Sequence, residues 1–465
     1  MPGDLSIVDL SEHIEELETG ALMPSTVLIE MCRKLAHSLM ETGCVIVRDP
    51  RVEMRDNDIF LNMMETYFSQ PISSKMQDVR PDLHFQVGAT PGGQETPKIL
   101  VDKLMQQSAA CLKEGNRATL PTGPDPKWRF FWRIGERPKD EQFTELNAEP
   151  VIPAGFPEWQ QVMDSWGGRL VCVAETLSKA LAVGLGLQVN SISNLMQQGP
   201  HLLAPTGSDL GCPEGSKPGY VFAGYHYDLN LLTLHGRCRF PGLYVWLRDG
   251  RRVAVRVPAG CLIVQAGKQL EWLTGGAIVA GMHEVVVNED TIKGVLEAKA
   301  AGRPLWRVSS TVFTHVASSK TLMPLDRFAT SSSLLLYPPT LAGVQVQQEL
   351  EALKLKKKSS MTQCCLEGKE QERAVVQVVQ QQGGVVGSCI GAGEPQETDH
   401  CHTTAQLDEL NSGVQIKSRV EEYSGHVECH EAVCSVRRKV YNGIKTYGFT
   451  SGDKPGYVQS CGQVG

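Results

Sequence analysis

The sequence predicts a mainly β core, a sandwich or jelly roll, with helices packed outside it. Beyond residue 217, short runs rich in β-branched and aromatic residues alternate with Gly, Pro and charged turns. About seven short strands at such intervals are typical of two-sheet β folds. Helical periodicity, by contrast, is concentrated in the first 187 residues. The β-rich runs are YVFAGYHYD, LLTL, GLYVWL, RRVAVRV, CLIVQAG, IVAGMHEVVV and RVSSTVFTHV.

The amino-terminal region is predicted to be α/β. Ser25 is expected to cap a helix that ends at Gly43, and residues 44–47 are expected to form a buried strand. Further helices are expected over 56–68 and 158–187, and the longer one carries apolar residues along one face. In the first helix the apolar residues at helical spacing are Val27, Leu28, Met31, Leu35 and Leu39.

Composition excludes several classes of protein. The chain has 465 residues, 41% of them apolar and 21% charged, and a net charge of -7. No apolar run approaches the roughly 20 residues that a bilayer crossing needs, so no membrane span is expected. The negative net charge gives no general attraction for nucleic acid, which is therefore not an expected partner. The start MPGDLSIVDLSEH resembles neither a signal peptide nor a transit peptide, so the expected compartment is cytoplasmic, where the 14 Cys stay reduced.

The chain divides into three predicted regions. Residues 1–150 form the helix and strand region, and residues 151–340 form the β core with its supporting long helix. Residues 345–465 are expected to be a low-complexity, mostly disordered tail, because residues 345–422 contain no aromatic residue. The lysine-rich stretch 354–358 fits either a solvated run of charges or a nuclear localisation signal. The clustered Cys and His residues of the tail fit either exposed thiols or a zinc site. The partners of the tail are unknown.

Two histidines and one aspartate form the strongest chemical pattern. His226 and Asp228 are two apart in a predicted strand, so their side chains share a face. His283 lies in a later apolar strand, where a histidine is unusual. Each histidine taken alone fits a hydrogen-bonded core residue. Together the three residues match the facial triad of non-heme Fe(II) oxygenases, which leaves positions open for dioxygen and for a bidentate 2-oxo acid.

Two further patterns are consistent with ligand binding. Arg307 and Ser309 share a face of the last strong strand, and a guanidinium with a hydroxyl suits the distal carboxylate of a five-carbon diacid. The alternative for Arg307 is a buried structural role. The aromatic and basic run at 128–133, WRFFWR, suits either a substrate mouth or ordinary packing between helix and sheet.

Taken in order, these motifs resemble the isopenicillin N synthase-like branch of the 2-oxoglutarate/Fe(II) dioxygenases. The order His-x-Asp, then His, then Arg-x-Ser is shared, and the resemblance covers about residues 5–330. Upstream it rests on IVDLS, ETGCVIV and METYFSQPISSKMQD, and between the motifs on FPGLYVWLRDG and VPAGCLIVQAGKQLEWLTGG. The segments QVGATP, WRFFWRIGERP and HLLAPTGSDL resemble an algal and protist subgroup of that branch.

The resemblance implies a double-stranded β-helix that binds Fe(II) through His226, Asp228 and His283. It implies that Arg307 and Ser309 bind the C5 carboxylate of 2-oxoglutarate as cosubstrate, with ascorbate as an additional reductant. Dioxygen would then hydroxylate or desaturate a C–H bond of a small-molecule substrate, with release of succinate and CO2.

The sequence departs from the family pattern in two places that bear on the site. Glu284 follows His283, where the plant enzymes commonly have Arg. A longer interval than usual, with a predicted polar helix over 290–301, separates His283 from Arg307. Two alternatives therefore stay open: an Fe(II) oxidase of the same fold that does not use 2-oxoglutarate, and a non-catalytic binding or scaffold protein that acts through its tail.

Overall fold

The computed structural model describes residues 5–19, 24–139 and 142–353. The strands are β1 (Ile7–Asp9), β2 (Cys44–Arg48), β3 (Gly88–Thr90), β4 (Trp128–Ile134), β5 (His201–Leu203), β6 (Thr206–Asp209), β7 (Val221–His226), β8 (Leu232–His235), β9 (Leu243–Trp246), β10 (Arg252–Ala254), β11 (Cys261–Ala266), β12 (Met282–Val286), β13 (Trp306–Ser309), β14 (Thr311–Thr314), β15 (Thr321–Leu322) and β16 (Thr340–Leu341). The helices are α1 (Ile14–Thr19), α2 (Thr26–Thr42), α3 (Met54–Phe68), α4 (Ile72–Met76), α5 (Lys103–Ala110), α6 (Trp159–Gly184), α7 (Ser193–Met196), α8 (Lys268–Leu273), α9 (Glu289–Ala300), α10 (Ser331–Leu336) and α11 (Ala342–Ala352).

Two sheets form the β core. The larger has the strand order β1, β2, β11, β8, β14, β5, β4, β6, β13, with β3 beside β4, and the smaller has the order β10, β9, β12, β7. Residues of both sheets line one cavity of about 480 Å³. The predicted regions 1–150 and 151–340 both contribute strands to the larger sheet, because β2 pairs with β11 and β4 pairs with β5. The structure therefore joins two regions that the sequence description separated.

The predicted amino-terminal helix and its caps are confirmed. The Ser25 hydroxyl accepts a hydrogen bond from the Leu28 amide at 3.2 Å, and Gly43 ends α2 with a positive φ of 73°. The helices expected over 56–68 and 158–187 are present as α3 and α6, with ends that differ by at most three residues. Among the described residues, no helix combines the length and apolar character that a bilayer crossing requires.

The predicted insertion between the second histidine and Arg307 is a folded helix. It is α9, and the Asn288 side chain caps it by accepting a hydrogen bond from the Thr291 amide at 2.8 Å. Val295 and Ala298 are buried in a cluster that includes Phe240. The insertion therefore packs on the core.

The predicted start of the tail at residue 345 is too early. Helix α11 continues to Ala352, because Val346 and Leu350 are buried against aromatic and aliphatic side chains from earlier in the chain. The aromatic partners that the tail itself lacks are thus supplied by Phe85 and Phe143. The predictions of disorder, of a nuclear localisation signal at 354–358 and of metal binding in the tail lie outside the described residues.

Helix α6 supports the core through a close approach to α2. At Gly184, a Cβ atom would lie 2.1 Å from the Cys32 carbonyl oxygen and 2.6 Å from the Cys32 carbonyl carbon. Both are backbone atoms, so no rotamer change can relieve the contact. Gly168, in the same helix, has nothing within 4 Å of such an atom. The two glycines therefore differ in the space around them.

We expect Gly184→Ala to lower the free energy of unfolding by about 1–3 kcal/mol, because the added methyl group forces the two helices apart. Gly168→Ala is the matched control, and it should raise stability by up to about 1 kcal/mol through helix propensity alone. Urea unfolding of both variants, followed by circular dichroism, checks this. Equal effects of the two substitutions would contradict the close packing of α2 on α6.

Candidate metal centre

The register of two neighbouring strands brings the two predicted histidines together. His226 ends β7, His283 lies in β12, and the antiparallel pairing sets them directly opposite each other. Directly paired residues point to the same face of a sheet. The two imidazole rings accordingly lie with their centroids 4.1 Å apart.

Asp228 completes the group from just beyond the strand. The alternation of side chains predicted Asp228 within the same strand as His226. In the structure β7 ends at His226, so Asp228 lies in the following loop. Its Oδ1 atom nevertheless lies 3.8 Å from Nε2 of His226 and 3.7 Å from Nε2 of His283. These distances are too long for hydrogen bonds. The ligand atoms of the three residues lie within 4.8 Å of one another, so they converge without bonding to one another.

Hydrogen bonds to the other polar atoms set the orientation of the group. Nδ1 of His226 donates to the Gly224 carbonyl at 2.6 Å, which leaves the Nε2 lone pair free for a cation. Nδ1 of His283 lies 3.4 Å from the Gly281 carbonyl. The Thr233 hydroxyl donates to Oδ2 of Asp228 at 2.6 Å, so Oδ1 is the oxygen that faces the histidines.

The electrostatic state suits a divalent cation. Burial, together with the neighbouring imidazole of His283, lowers the pKa of His226 to about 3, so this ring is neutral at pH 7. Burial raises the pKa of Asp228, but His283, His226 and the Thr233 hydroxyl outweigh that effect and hold it below its usual range. A neutral imidazole and an ionised carboxylate are the forms that ligate metals.

The donor set fits the metal that the resemblance implies. Two imidazole nitrogens and one carboxylate oxygen are the ligands of the non-heme Fe(II) facial triad. The separation of their atoms suits a shared cation better than direct contacts among the three side chains. His283 and Asp228 are buried, while His226 retains 29% side-chain exposure, and all three line the cavity.

The predicted cosubstrate residues lie on the other sheet and line the same cavity. Arg307 and Ser309 belong to β13, and both are largely buried. Nε of Arg307 donates to the Pro241 carbonyl at 3.1 Å, and the Ser309 hydroxyl accepts from the Thr206 amide at 3.1 Å. The structure thus places the pair on the cavity wall, and their role in binding 2-oxoglutarate stays a prediction.

Glu284, which departs from the family pattern, does not disturb the centre. It is adjacent to His283 in β12, so its side chain points to the opposite face. There it forms an ion pair with Arg252 and accepts a hydrogen bond from the Thr119 amide at 3.0 Å. Its carboxylate therefore has structural partners away from the histidines.

Sequence reasoning missed two polar residues of β8 beside the centre. Thr233 holds Asp228, and His235 lies with its ring centroid 6.3 Å from that of His283. His235 bonds to the Thr311 hydroxyl and the Gln265 carbonyl oxygen, both at 2.8 Å. Burial lowers the pKa of His235 to about 4. Alternation along the run LLTLH already places Thr233 and His235 on one face, and this signal could have identified them.

Comparisons with known proteins support the resemblance to the 2-oxoglutarate/Fe(II) dioxygenases. Residues 210–316 match the model of the 2OG-Fe(II) oxygenase superfamily, a span that contains all five predicted site residues. Leucoanthocyanidin dioxygenase 1 of Oryza sativa subsp. indica is 30% identical over 158 residues, which are 32% of this chain and 41% of that protein. Protein DMR6-LIKE OXYGENASE 2 of Arabidopsis thaliana is 26% identical over 35% of this chain and 44% of its own length. The chain thus spans less than half the length of these curated relatives.

Solved structures confirm the predicted double-stranded β-helix. A 2OG-Fe(II) oxygenase family structure from Caulobacter crescentus superposes with a TM-score of 0.57 at 21% identity, over 75% of this chain and 99% of that one. A full-length protein of Neurospora crassa, solved in complex with alpha-KG, superposes with a TM-score of 0.56 at 16% identity, over 74% of this chain and 95% of that one. At these identities the likeness concerns the fold. Residues 210–316 are thus a 2OG-Fe(II) oxygenase superfamily domain by their match to that model, and the chain has relatives in the leucoanthocyanidin dioxygenase and DMR6 branch.

Proposed function

We propose that this protein is an Fe(II)- and 2-oxoglutarate-dependent dioxygenase that hydroxylates or desaturates a C–H bond of a small organic molecule, with release of succinate and CO2. The observation that carries the proposal is the convergence of His226, Asp228 and His283 on one wall of a cavity whose other sheet presents Arg307. The superfamily domain over 210–316 supports it. Solved relatives of this fold include a JOX2 structure in complex with 2OG, Fe and JA.

In this proposal, residues of the smaller sheet and its following loop bind the metal, and residues of the larger sheet bind the cosubstrate. With Fe(II) and 2-oxoglutarate bound, oxidative decarboxylation of the cosubstrate by dioxygen supplies the oxidant for the substrate C–H bond. His226, Asp228 and His283 would hold the metal. Arg307 and Ser309 would bind the distal carboxylate of the cosubstrate, and the bond from Arg307 to the Pro241 carbonyl fixes its guanidinium plane.

The cavity lining favours controlled oxidation. Apolar side chains of the large sheet and of α11 surround the polar centre, and they limit the water that can reach a reactive species. A bound substrate would be held near the metal by shape and apolar contact. These apolar lining residues include Phe131, Leu202, Ile263, Phe313, Val346 and Leu350.

Thr233 acts as a positioning residue for the metal ligand Asp228. Its hydroxyl donates to Oδ2 at 2.6 Å, and the oxygen that remains, Oδ1, faces the histidines. Hydrogen bonds of this kind typically change metal affinity by about 10- to 100-fold. Thr314 is a comparable buried threonine, but its hydroxyl donates to the Leu232 carbonyl at 2.9 Å and not to a ligand.

We expect Thr233→Val to weaken Fe(II) binding about 10-fold or more, because Asp228 loses the donor that orients it. Thr314→Val is the control, which also removes a buried hydroxyl but should leave metal affinity within about 2-fold of the wild type. Anaerobic calorimetric titration with Fe(II) measures both. Equal losses in the two variants would show that the effect is general destabilisation.

Asp228→Ala should abolish Fe(II)-dependent formation of succinate, because the metal loses its anionic ligand. Asp249→Ala removes an exposed carboxylate that is paired with Arg251, and it should retain full activity. The assay measures succinate and 2-oxoglutarate with a metabolite extract as the source of substrate. Substrate oxidation without succinate would instead indicate the Fe(II) oxidase that does not use 2-oxoglutarate.

Arg307→Lys should raise the KM for 2-oxoglutarate about 10-fold or more and change kcat less, because lysine keeps the charge but loses the two-pronged geometry. Arg303→Lys, an exposed arginine just before β13, is the control and should leave both constants unchanged. An anaerobic titration of the Fe(II) protein gives a second readout through the weak visible charge-transfer band. A folded, iron-containing wild type without that band would contradict the use of 2-oxoglutarate.

A further inference from the structure

We propose that the substrate is an organic carboxylate and that the guanidinium of Arg129 binds its carboxylate group. This inference rests on the proposed function, since it concerns the substrate of the same cavity. It comes from a buried network of charged side chains beside the candidate metal centre. The network consists of Glu95, Asp125, Lys127 and Arg129, all of which line the cavity.

The carboxylates of this network are fully occupied by donors. Lys127 lies 2.8 Å from Oε2 of Glu95 and also pairs with Oδ2 of Asp125. Arg129 donates through Nη1 to Oε1 of Glu95. The Gly224 amide donates to Oδ1 of Asp125 at 3.2 Å. Two anions and two cations therefore balance, and each carboxylate oxygen has a partner.

Arg129 provides the N–H groups of this network that remain available to a ligand. Its Nε and Nη2 atoms are buried and have no hydrogen-bond partner within the part of the chain that the structure describes. The whole residue is only 9% exposed. These two nitrogens form one edge of the guanidinium, and that edge binds a carboxylate through two parallel hydrogen bonds. Because buried donors without partners are costly, a ligand that offers two coplanar acceptors is strongly favoured here.

The position of Arg129 separates it from the predicted cosubstrate residues. Arg129 in β4 pairs with Thr206 in β6, and Thr206 pairs with Ser309 in β13. Directly paired residues share a face, and neighbouring strands lie about 4.8 Å apart, so Arg129 lies about 10 Å across the sheet from Ser309. One cavity wall thus presents two separate sites for carboxylates.

The network also adjoins the metal ligands. Asp125 accepts a hydrogen bond from the Gly224 amide, and the carbonyl of the same residue accepts from Nδ1 of His226. Cζ of Arg129 lies over the Phe131 ring, 3.9 Å from its centroid. The contacts with Glu95 and Phe131 restrict the guanidinium, which lines the same cavity as the metal ligands and can orient a substrate there.

The surroundings of Arg129 indicate what the rest of the substrate resembles. Phe131, Leu202 and Phe313 form an apolar cluster that lines the cavity. Two other cations of the lining have anionic partners, since Lys98 pairs with Glu349 and the exposed Arg256 pairs with Asp290. The site thus suits a molecule with a carboxylate at one end and an aromatic or aliphatic body.

The test compares carboxylates with their neutral amides. The probes are phenylacetate, cinnamate and octanoate, each with its primary amide, titrated anaerobically into protein loaded with Fe(II) and 2-oxoglutarate. We expect the wild type to bind the carboxylates about 10-fold or more tightly than the amides. Arg129→Gln should bring that ratio close to one. The control Arg251→Gln removes the same charge at an exposed position outside the cavity lining and should leave the ratio unchanged.

A second variant controls for loss of stability, because Arg129→Gln removes one of the hydrogen-bond donors of the buried Glu95 carboxylate. The double variant Glu95→Gln/Arg129→Gln removes both charges and should lose the same preference. A wild type that binds none of the carboxylates, or binds the amides equally well, contradicts the inference, and so does a folded variant without Arg129 that keeps the preference. If the wild type lacks the Fe(II) and 2-oxoglutarate charge-transfer band, the proposed function itself fails.

Discussion

The antiparallel register between β7 and β12 is the constraint on which the candidate centre depends. It sets His226 opposite His283, and β9 holds β12 from the other side through the pairing of His283 with Val245. A shift of one residue would carry one imidazole to the opposite face of the sheet, because side chains alternate along a strand. The register thus converts two histidines that are distant in sequence into neighbours with facing nitrogens.

The two sheets contribute different chemistry to one cavity. The smaller sheet and the loop after β7 supply two imidazoles and a carboxylate, which together attract a cation. The larger sheet supplies Arg307 and, on a different strand, Arg129, which attract anions. In the function that we propose, this division lets a metal, a dicarboxylate and an organic acid meet without competing for the same side chains. Outside the sheets, α2 and α6 pack closely at Gly184, and α11 packs against Phe85 and Phe143.

Much of this structure could be predicted from local patterns. Ser25 and Gly43 mark the ends of α2 because capping depends on neighbouring residues, and strand alternation indicates that Arg307 and Ser309 share a face. The remainder depends on contacts between distant segments. The end of β7 at His226, the bond from Thr233 to Asp228 and the burial of α11 against Phe85 and Phe143 follow from tertiary packing. The lack of hydrogen-bond partners for Nε and Nη2 of Arg129 among the described residues likewise emerges only from the tertiary structure.

The central claim is that His226, Asp228 and His283 bind one metal ion. Anomalous diffraction at the iron edge, from crystals of the full chain loaded anaerobically with Fe(II), tests it most directly. The account predicts one peak within about 2.0–2.2 Å of Nε2 of both histidines and Oδ1 of Asp228, which are ordinary lengths for bonds from imidazole and carboxylate to a transition metal. A peak at other residues, or no peak from protein that retains its fold, would contradict it.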